Sequence, residues 1–280
     1  MINKILTGTV FALLYNISAQ AIVIRHDVDD NEYLAKANDF PPLATLYSIG
    51  VHGTLIAPSW VVTAGHAVFC MEPGDKIKVG DQWAEIESRF ADADYELGED
   101  NDIALLKIKQ PITNIKPAKL YRGSEESQQN IWFIGVGGSG NGNIGQTLSY
   151  SQNKGTLRKA ENKIEKVSKR EIFFVFDKGE DALPLEGVSG NADSGGPAYK
   201  LIDDDYYLFG ISSRNNSFFK DIGEYGVDEV YSRISFHASW VDKIIANNVE
   251  FITKNTTQHH FAQDNIKDNL EKACAMIGFK

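Results

Sequence analysis

Twelve short runs rich in β-branched and aromatic residues recur along this chain, with Gly, Asn and Asp turns between them. They fall at 45–49, 53–56, 60–64, 76–79, 83–88, 103–108, 131–136, 155–159, 171–176, 198–202, 206–212 and 229–234. Strands this short and this numerous point to an all-β fold, a sandwich or barrels. With 42% hydrophobic residues among 280, the chain can bury a sizeable core. Its 2 cysteines are too few for a disulfide framework or a structural zinc site. Packing must hold such a fold, and no metal or cofactor is expected.

Helical periodicity arises only near the end. Residues 238–248 place Trp240, Val241, Ile244 and Ile245 on one face, and residues 262–277 place Ile266, Leu270, Ala273, Cys274 and Ile277 at helical spacing. Gly278 then stands where a left-handed C-cap is expected. The apolar stripe of the second helix reads as docking surface. Residues 111–119 are the candidate crossing between two β halves, and no internal repeat is visible.

The formal charge is −10, from 28 basic and 38 acidic side chains, which repels phosphate backbones and anionic lipids. Nucleic-acid binding is therefore not expected. The first residues decide the compartment: Lys4 is the only charge before residue 22, residues 5–15 are mostly apolar, and Ser18-Ala19-Gln20-Ala21 offers small residues in an A-x-A arrangement. The run is shorter than the roughly 20 apolar residues a membrane span needs. Residues 1–21 read as an export signal cut after Ala21, leaving 280 − 21 = 259 residues with a balance of 27 − 38 = −11. The mature chain is then secreted or periplasmic, without a membrane span; its oligomeric state is not fixed by the sequence.

Three segments carry chemistry. Val62-Thr63-Ala64-Gly65-His66-Ala67 ends a strand run, Asn101-Asp102-Ile103-Ala104-Leu105-Leu106 opens one, and Gly190-Asn191-Ala192-Asp193-Ser194-Gly195-Gly196-Pro197 precedes another. A serine hydroxyl is a weak nucleophile until an imidazole accepts its proton. That imidazole needs a carboxylate to fix its tautomer and stabilise its cation. Glycines after the serine permit a tight turn whose N–H groups can approach an oxyanion.

In these segments the chain resembles the chymotrypsin/trypsin family of serine peptidases, with its T-A-A-H, D-I-A-L and G-D-S-G-G-P patterns at intervals of 36 and 92 residues. The resemblance implies two six-stranded antiparallel β-barrels over residues 22–248, joined near 111–120, with a helical extension over 249–280. It implies hydrolysis of protein or peptide substrates through an acyl-enzyme. His66 becomes the general base and acid, Asp102 its orienting carboxylate, Ser194 the nucleophile and Ser213 the support of the aspartate. Ala192 and Ser194 supply the oxyanion hole. Relatives become active when a new N-terminus pairs with the aspartate before the nucleophile, so cleavage after Ala21 exposes Ile22 to pair with Asp193.

Several positions depart from the family. Ala192 replaces a glycine, which strains the backbone if the site needs positive φ. Val51 and Ala67 replace the disulfide beside the histidine; Cys70 and Cys274 either pair with each other or stay as separate buried residues. Val188 stands at the pocket floor in place of a trypsin-type aspartate, with Ser189 next to it. Glu229 replaces a pocket-wall glycine, where its carboxylate either salt-bridges a basic side chain or fills the pocket and favours small ones. Arg214 and Asn215 replace the aromatic and glycine after Ser213. The segment His26-Asp27-Val28-Asp29-Asp30 reads as a solvated acidic turn. The alternative to a peptidase is a protease-shaped binding or adhesion protein that is catalytically weak or inactive.

Overall fold

A computed structural model describes residues 22–153, 155–216 and 220–279; the export-signal reading, on residues 1–21, lies outside the described residues. The chain begins with β1 (Ile22–Ile24), buried throughout. Then β2 (Leu43–Tyr47), β3 (Gly50–Ala57), β4 (Trp60–Thr63), β5 (Lys76–Val79), β6 (Gln82–Asp92) and β7 (Ala104–Ile108) pair in the order β6-β5-β2-β3-β4-β7. Strand β6 also pairs antiparallel with β7, so the sheet closes into a barrel. The cause is period-2 alternation: in β5, Ile77 and Val79 turn inward while Lys76 is exposed. Leu46, Leu55, Val79, Ile86 and Leu105 fill the first core.

The chain crosses through β8 (Lys119–Leu120) to β9 (Asn130–Gly135), a hairpin of β10 (Ser139–Asn141) and β11 (Gly145–Leu148), and the one-turn α1 (Tyr150–Asn153). It continues with β12 (Arg158–Val167), β13 (Glu171–Val175), β14 (Gly187–Val188), β15 (Pro197–Ile202), β16 (Asp205–Asn215) and β17 (Asp228–Arg233). Here the order is β15-β9-β12-β13-β17-β16, and the β15–β16 pairing closes a second barrel. Phe133, Phe174 and Tyr231 pack there with ring centroids 4.8–5.1 Å apart. The fold is all-β, two closed six-stranded antiparallel barrels with helices at the C-terminal end.

Each of the twelve expected runs touches a barrel strand. The run at 155–159 is the poorest match, because β12 hides its strand character behind charge. Ala160, Asn162 and Ile164 are buried while Lys159, Glu161, Lys163 and Glu165 between them are half-exposed. Among the described residues, the strands not foreseen are two to four residues long: β1, β8, β10, β11, β14 and a late one, β18 (Thr256–Thr257).

After the second barrel come α2 (Ile234–Ile245), α3 (Val249–Asn255), β18 (Thr256–Thr257), α4 (Asp264–Lys267) and α5 (Leu270–Ile277). The helix expected at 238–248 starts four residues earlier, burying Ile234 beside Val241 and Ile244. The helix expected at 262–277 is two pieces, because Asn269 leaves helical geometry at φ −124°, ψ 22°. Gly278 is not a left-handed cap: its φ is −60°, although its N–H donates to the Cys274 carbonyl at 2.9 Å. Leu270, Cys274 and Ile277 pack against the first core. Cys70 and Cys274 are disulfide-bonded, with Cα atoms 5.3 Å apart, which decides between the two readings of that pair. Among the described residues no helix is long and apolar enough to cross a membrane.

Candidate active site

A cleft of about 350 Å³ receives His66 and Asp102 from the first barrel and Ser194, Ser213 and Glu229 from the second. His66 opens a single helical turn just after β4. The turn is tight at Gly65, where a Cβ would stand 3.0 Å from the Tyr95 ring and 3.2 Å from Asp102 Oδ1. Asp102 is buried just before β7. Its Oδ1 accepts the His66 backbone N–H at 2.9 Å, and its Oδ2 lies 2.7 Å from His66 Nδ1 and accepts from Ser213 Oγ at 2.6 Å. The Asp102 carbonyl accepts from Ser232 Oγ at 2.7 Å.

Burial alone would push the Asp102 carboxyl up. The His66 charge and the hydrogen bonds from His66 and Ser213 outweigh it and hold the group below its ordinary value. Burial likewise acts to lower the His66 imidazole, but the charge and hydrogen bond of Asp102 overcome it and the value is raised.

The loop carrying Ser194 is held mainly through its backbone. Asp193 is buried, accepting from Gly137 N–H at 2.7 Å on Oδ1 and Gly190 N–H at 2.9 Å on Oδ2. Ser194 O accepts from His52 N–H at 2.8 Å, and Gly195 N–H donates to Ser212 O at 2.9 Å. The Asn191 carbonyl accepts from Gly138 N–H at 2.6 Å. A trans peptide points its C=O and N–H in opposite directions, so the Ala192 N–H is aimed the other way. Among the described residues neither the Ala192 nor the Ser194 N–H has an acceptor within the protein. Two donors without an acceptor thus flank Asp193.

Ala192 lies at φ 72°, in the left-handed region. Val51 N–H holds it there by donating to its carbonyl at 2.6 Å. Gly50, itself at φ 108°, makes the approach possible, since a Cβ there would come 2.9 Å from that carbonyl.

The specificity candidates divide. Ser189, Arg214, Asn215 and Glu229 line the cleft. Val188 does not: it pairs with Val23 across β14 and packs against Val23 and Phe176, because adjacent residues of a strand face opposite ways. Ser189 Oγ is 2.5 Å from Tyr231 OH. Glu229 is buried, and desolvation pushes its carboxyl well above the ordinary range. Arg214 is tied to Glu171 at 2.7 Å. Asn215 Nδ2 is buried, and the hydrogen bond of Asn215 to Glu229 works against the upward push of burial on that carboxyl. Ile22 lies between β10 and β14, paired with Ser139 two residues beyond Gly137.

With this geometry in view, the comparison with known families is decisive: the family model described as Trypsin matches residues 31–241. The chain belongs to the trypsin family. Membership makes it a serine-protease-type hydrolase by descent, with proteins as the substrate class, and a disulfide-bearing trypsin fold is compatible with an extracellular place.

Three residues of the trypsin-type site escaped sequence reasoning. His52 Nε2 lies 3.6 Å from Asp193 Oδ1 and accepts from Val136 N–H at 3.1 Å. Only its polarity beside the apolar run at 53–56 could have flagged it. Ser232 sits in an ordinary strand pattern. Gln263, from the C-terminal extension, also lines the cleft; nothing local to it signals this. The early acidic turn is spent on structure: Asp27 pairs with Arg25, Asp29 accepts from Asn31 N–H, and Asp30 holds Arg158 at 2.6 Å.

Proposed function

We propose that this protein is an exported serine endopeptidase in which His66, Asp102 and Ser194 act as a triad. One observation carries the reading: the buried Asp102 holds His66 Nδ1 at 2.7 Å, in the cleft that Ser194 also lines. Fixing the proton on Nδ1 leaves Nε2 as the base. His66 takes the Ser194 proton as Oγ attacks the carbonyl, the Ala192 and Ser194 N–H groups receive the oxyanion, and His66 returns the proton to the leaving amine. Water then releases the acyl group by the same steps. No cofactor takes part in this chemistry.

Activation follows from export. Cleavage after Ala21 creates an ammonium at Ile22, beside the Gly137 end of the Asp193 network. A partner for the buried Asp193 charge keeps the oxyanion loop ordered, and breaking such a pair costs about 3–5 kcal/mol. For the residue before the scissile bond (P1) we assign a basic side chain, read by Glu229. Burial pushes its carboxyl up, and a cation beside it favours the ionised form that would pair with the substrate side chain.

The test is labelling of protein sequenced to begin at Ile22 with a fluorophosphonate probe. Stoichiometric labelling, lost in Ser194→Ala, is expected. No labelling of correctly processed protein would instead favour the protease-shaped binder, with Ala192 at φ 72° as its structural ground.

A further inference from the structure

We propose that the strap from Thr256 to Gln263, held by the disulfide behind it, is a specificity-determining wall for P2, the substrate residue preceding P1. The inference rests on the peptidase reading and assigns substrate recognition to a segment beyond the matched residues 31–241.

The strap is fastened along its length. β18 pairs antiparallel with the end of β6, Thr256 opposite Asp92. The side chain of buried Arg89 donates to the Gln258 carbonyl at 2.7 Å, and Gln258 Nε2 donates to the Arg89 carbonyl at 2.8 Å. His260 lies 2.7 Å from the Phe69 carbonyl and 2.8 Å from a Glu72 oxygen, on the chain just past His66. The Phe261 ring meets Tyr95 edge-on at 4.7 Å. Beyond Gln263, α5 is bonded to Cys70 through Cys274, and its last residue, Ile277, accepts at 2.8 Å from the N–H of Ser48. A segment clamped at both ends by backbone pairing and a covalent bond holds Gln263 in place at the cleft.

Substrate geometry decides what Gln263 meets. A peptide added along Ser213 to Asn215 runs extended, and its side chains alternate between two faces. If P1 faces Ser189 and Glu229 on the second barrel, P2 faces the opposite wall. That wall is Tyr95, Leu97 and Gly98 of the first barrel, with Gln263 of the strap. Leu97 is 45% exposed, an apolar surface left uncovered at the cleft. Gln263 is exposed beside it, able to lay its methylenes over a bound side chain while its carboxamide stays in water. The slot fits a medium-sized apolar P2 residue such as Leu, Val or Pro better than Gly.

The experiment compares two peptide substrates that share a P1 residue and carry Leu or Gly at P2, with rates expressed per fluorophosphonate-labelled site. Gln263→Ala is expected to lower the Leu/Gly ratio of kcat/KM about three- to tenfold, at the low end of what a lost hydrophobic contact removes from a closed pocket because the wall is open. Cys274→Ser, which frees the far end of the strap, is expected to lower it at least as much. An unchanged or raised ratio at labelled sites overturns the inference and leaves the peptidase reading standing. A wild-type protein that does not label overturns both. A variant that no longer labels assigns the strap to supporting the triad and overturns a specificity role.

Discussion

The two walls of the cleft are built on opposite principles. On the first-barrel wall every polar atom of the Asp102 carboxylate is occupied, by His66 twice and by Ser213, and the neighbouring chain is stapled through Cys70. On the second-barrel wall, two N–H donors have no acceptor among the described residues, and burial pushes the Glu229 carboxyl up against the opposing hydrogen bond of Asn215. One wall holds the His66 imidazole in a fixed orientation, the geometry that the proposed proton transfer needs. The other leaves two N–H donors free, which on the proposed reading are completed by the substrate, and accepts a left-handed alanine.

The contrast breaks first at Asp102. Asp102→Asn would leave His66 in place with the wrong tautomer and is expected to lower kcat by about 10⁴ at neutral pH. On the proposed mechanism, His66 of the wild type acts as base only when neutral. Because its value is raised above 6.5, kcat/KM should fall as pH drops through a point above that figure. Asp102→Asn should move this acid limb downward, and a pH–rate profile of both proteins checks it.

Glu229→Gln tests the second wall. With its cation reader gone, the variant should lose about 10- to 100-fold in kcat/KM on Arg and Lys substrates, the scale of one buried charge-assisted contact of about 1.5–3 kcal/mol. Apolar P1 substrates should change little. Stability should move the other way. The folded state keeps Glu229 protonated where the unfolded chain has ionised, so it binds more protons and loses stability as pH rises from the ordinary carboxyl range through the raised value. Glu229→Gln should therefore melt higher than wild type at pH 8, by about 2–4 °C per kcal/mol recovered, and with little difference at pH 4. Calorimetry at the two pH values decides.

The smallest effect is expected at Ala192→Gly. Relieving a left-handed alanine is worth about 1 kcal/mol, so the gain in kcat/KM should stay within about fivefold. A larger gain would mean that the oxyanion loop of the wild type is mostly disordered before substrate binds.

What the sequence disclosed depends on how local the cause is. Ile77 and Val79 announce β5 by alternation, and the glycines around Ser194 announce a tight turn. Val188 misled, because counting six residues back from Ser194 locates a backbone position but not the side to which its side chain points. In β12 the alternation exists, yet Asn162 fills a buried place and charged residues surround it. His52 and Gln263 were invisible for a different reason. Their meaning lies in partners far along the chain: Asp193 for His52, and for Gln263 the wall that includes Leu97.

The bond between Cys70 and Cys274 spans 204 residues. At the usual pace of synthesis, about 5–20 residues per second, roughly 10–40 s separate the appearance of its two thiols. The last three strands of the first barrel, the whole second barrel, Asp102 and the Asp193–Ser194 loop are made within that interval. Gln263 is thus the last to be synthesised of the residues that line the cleft, and the bond behind its strap can close only after all the others exist.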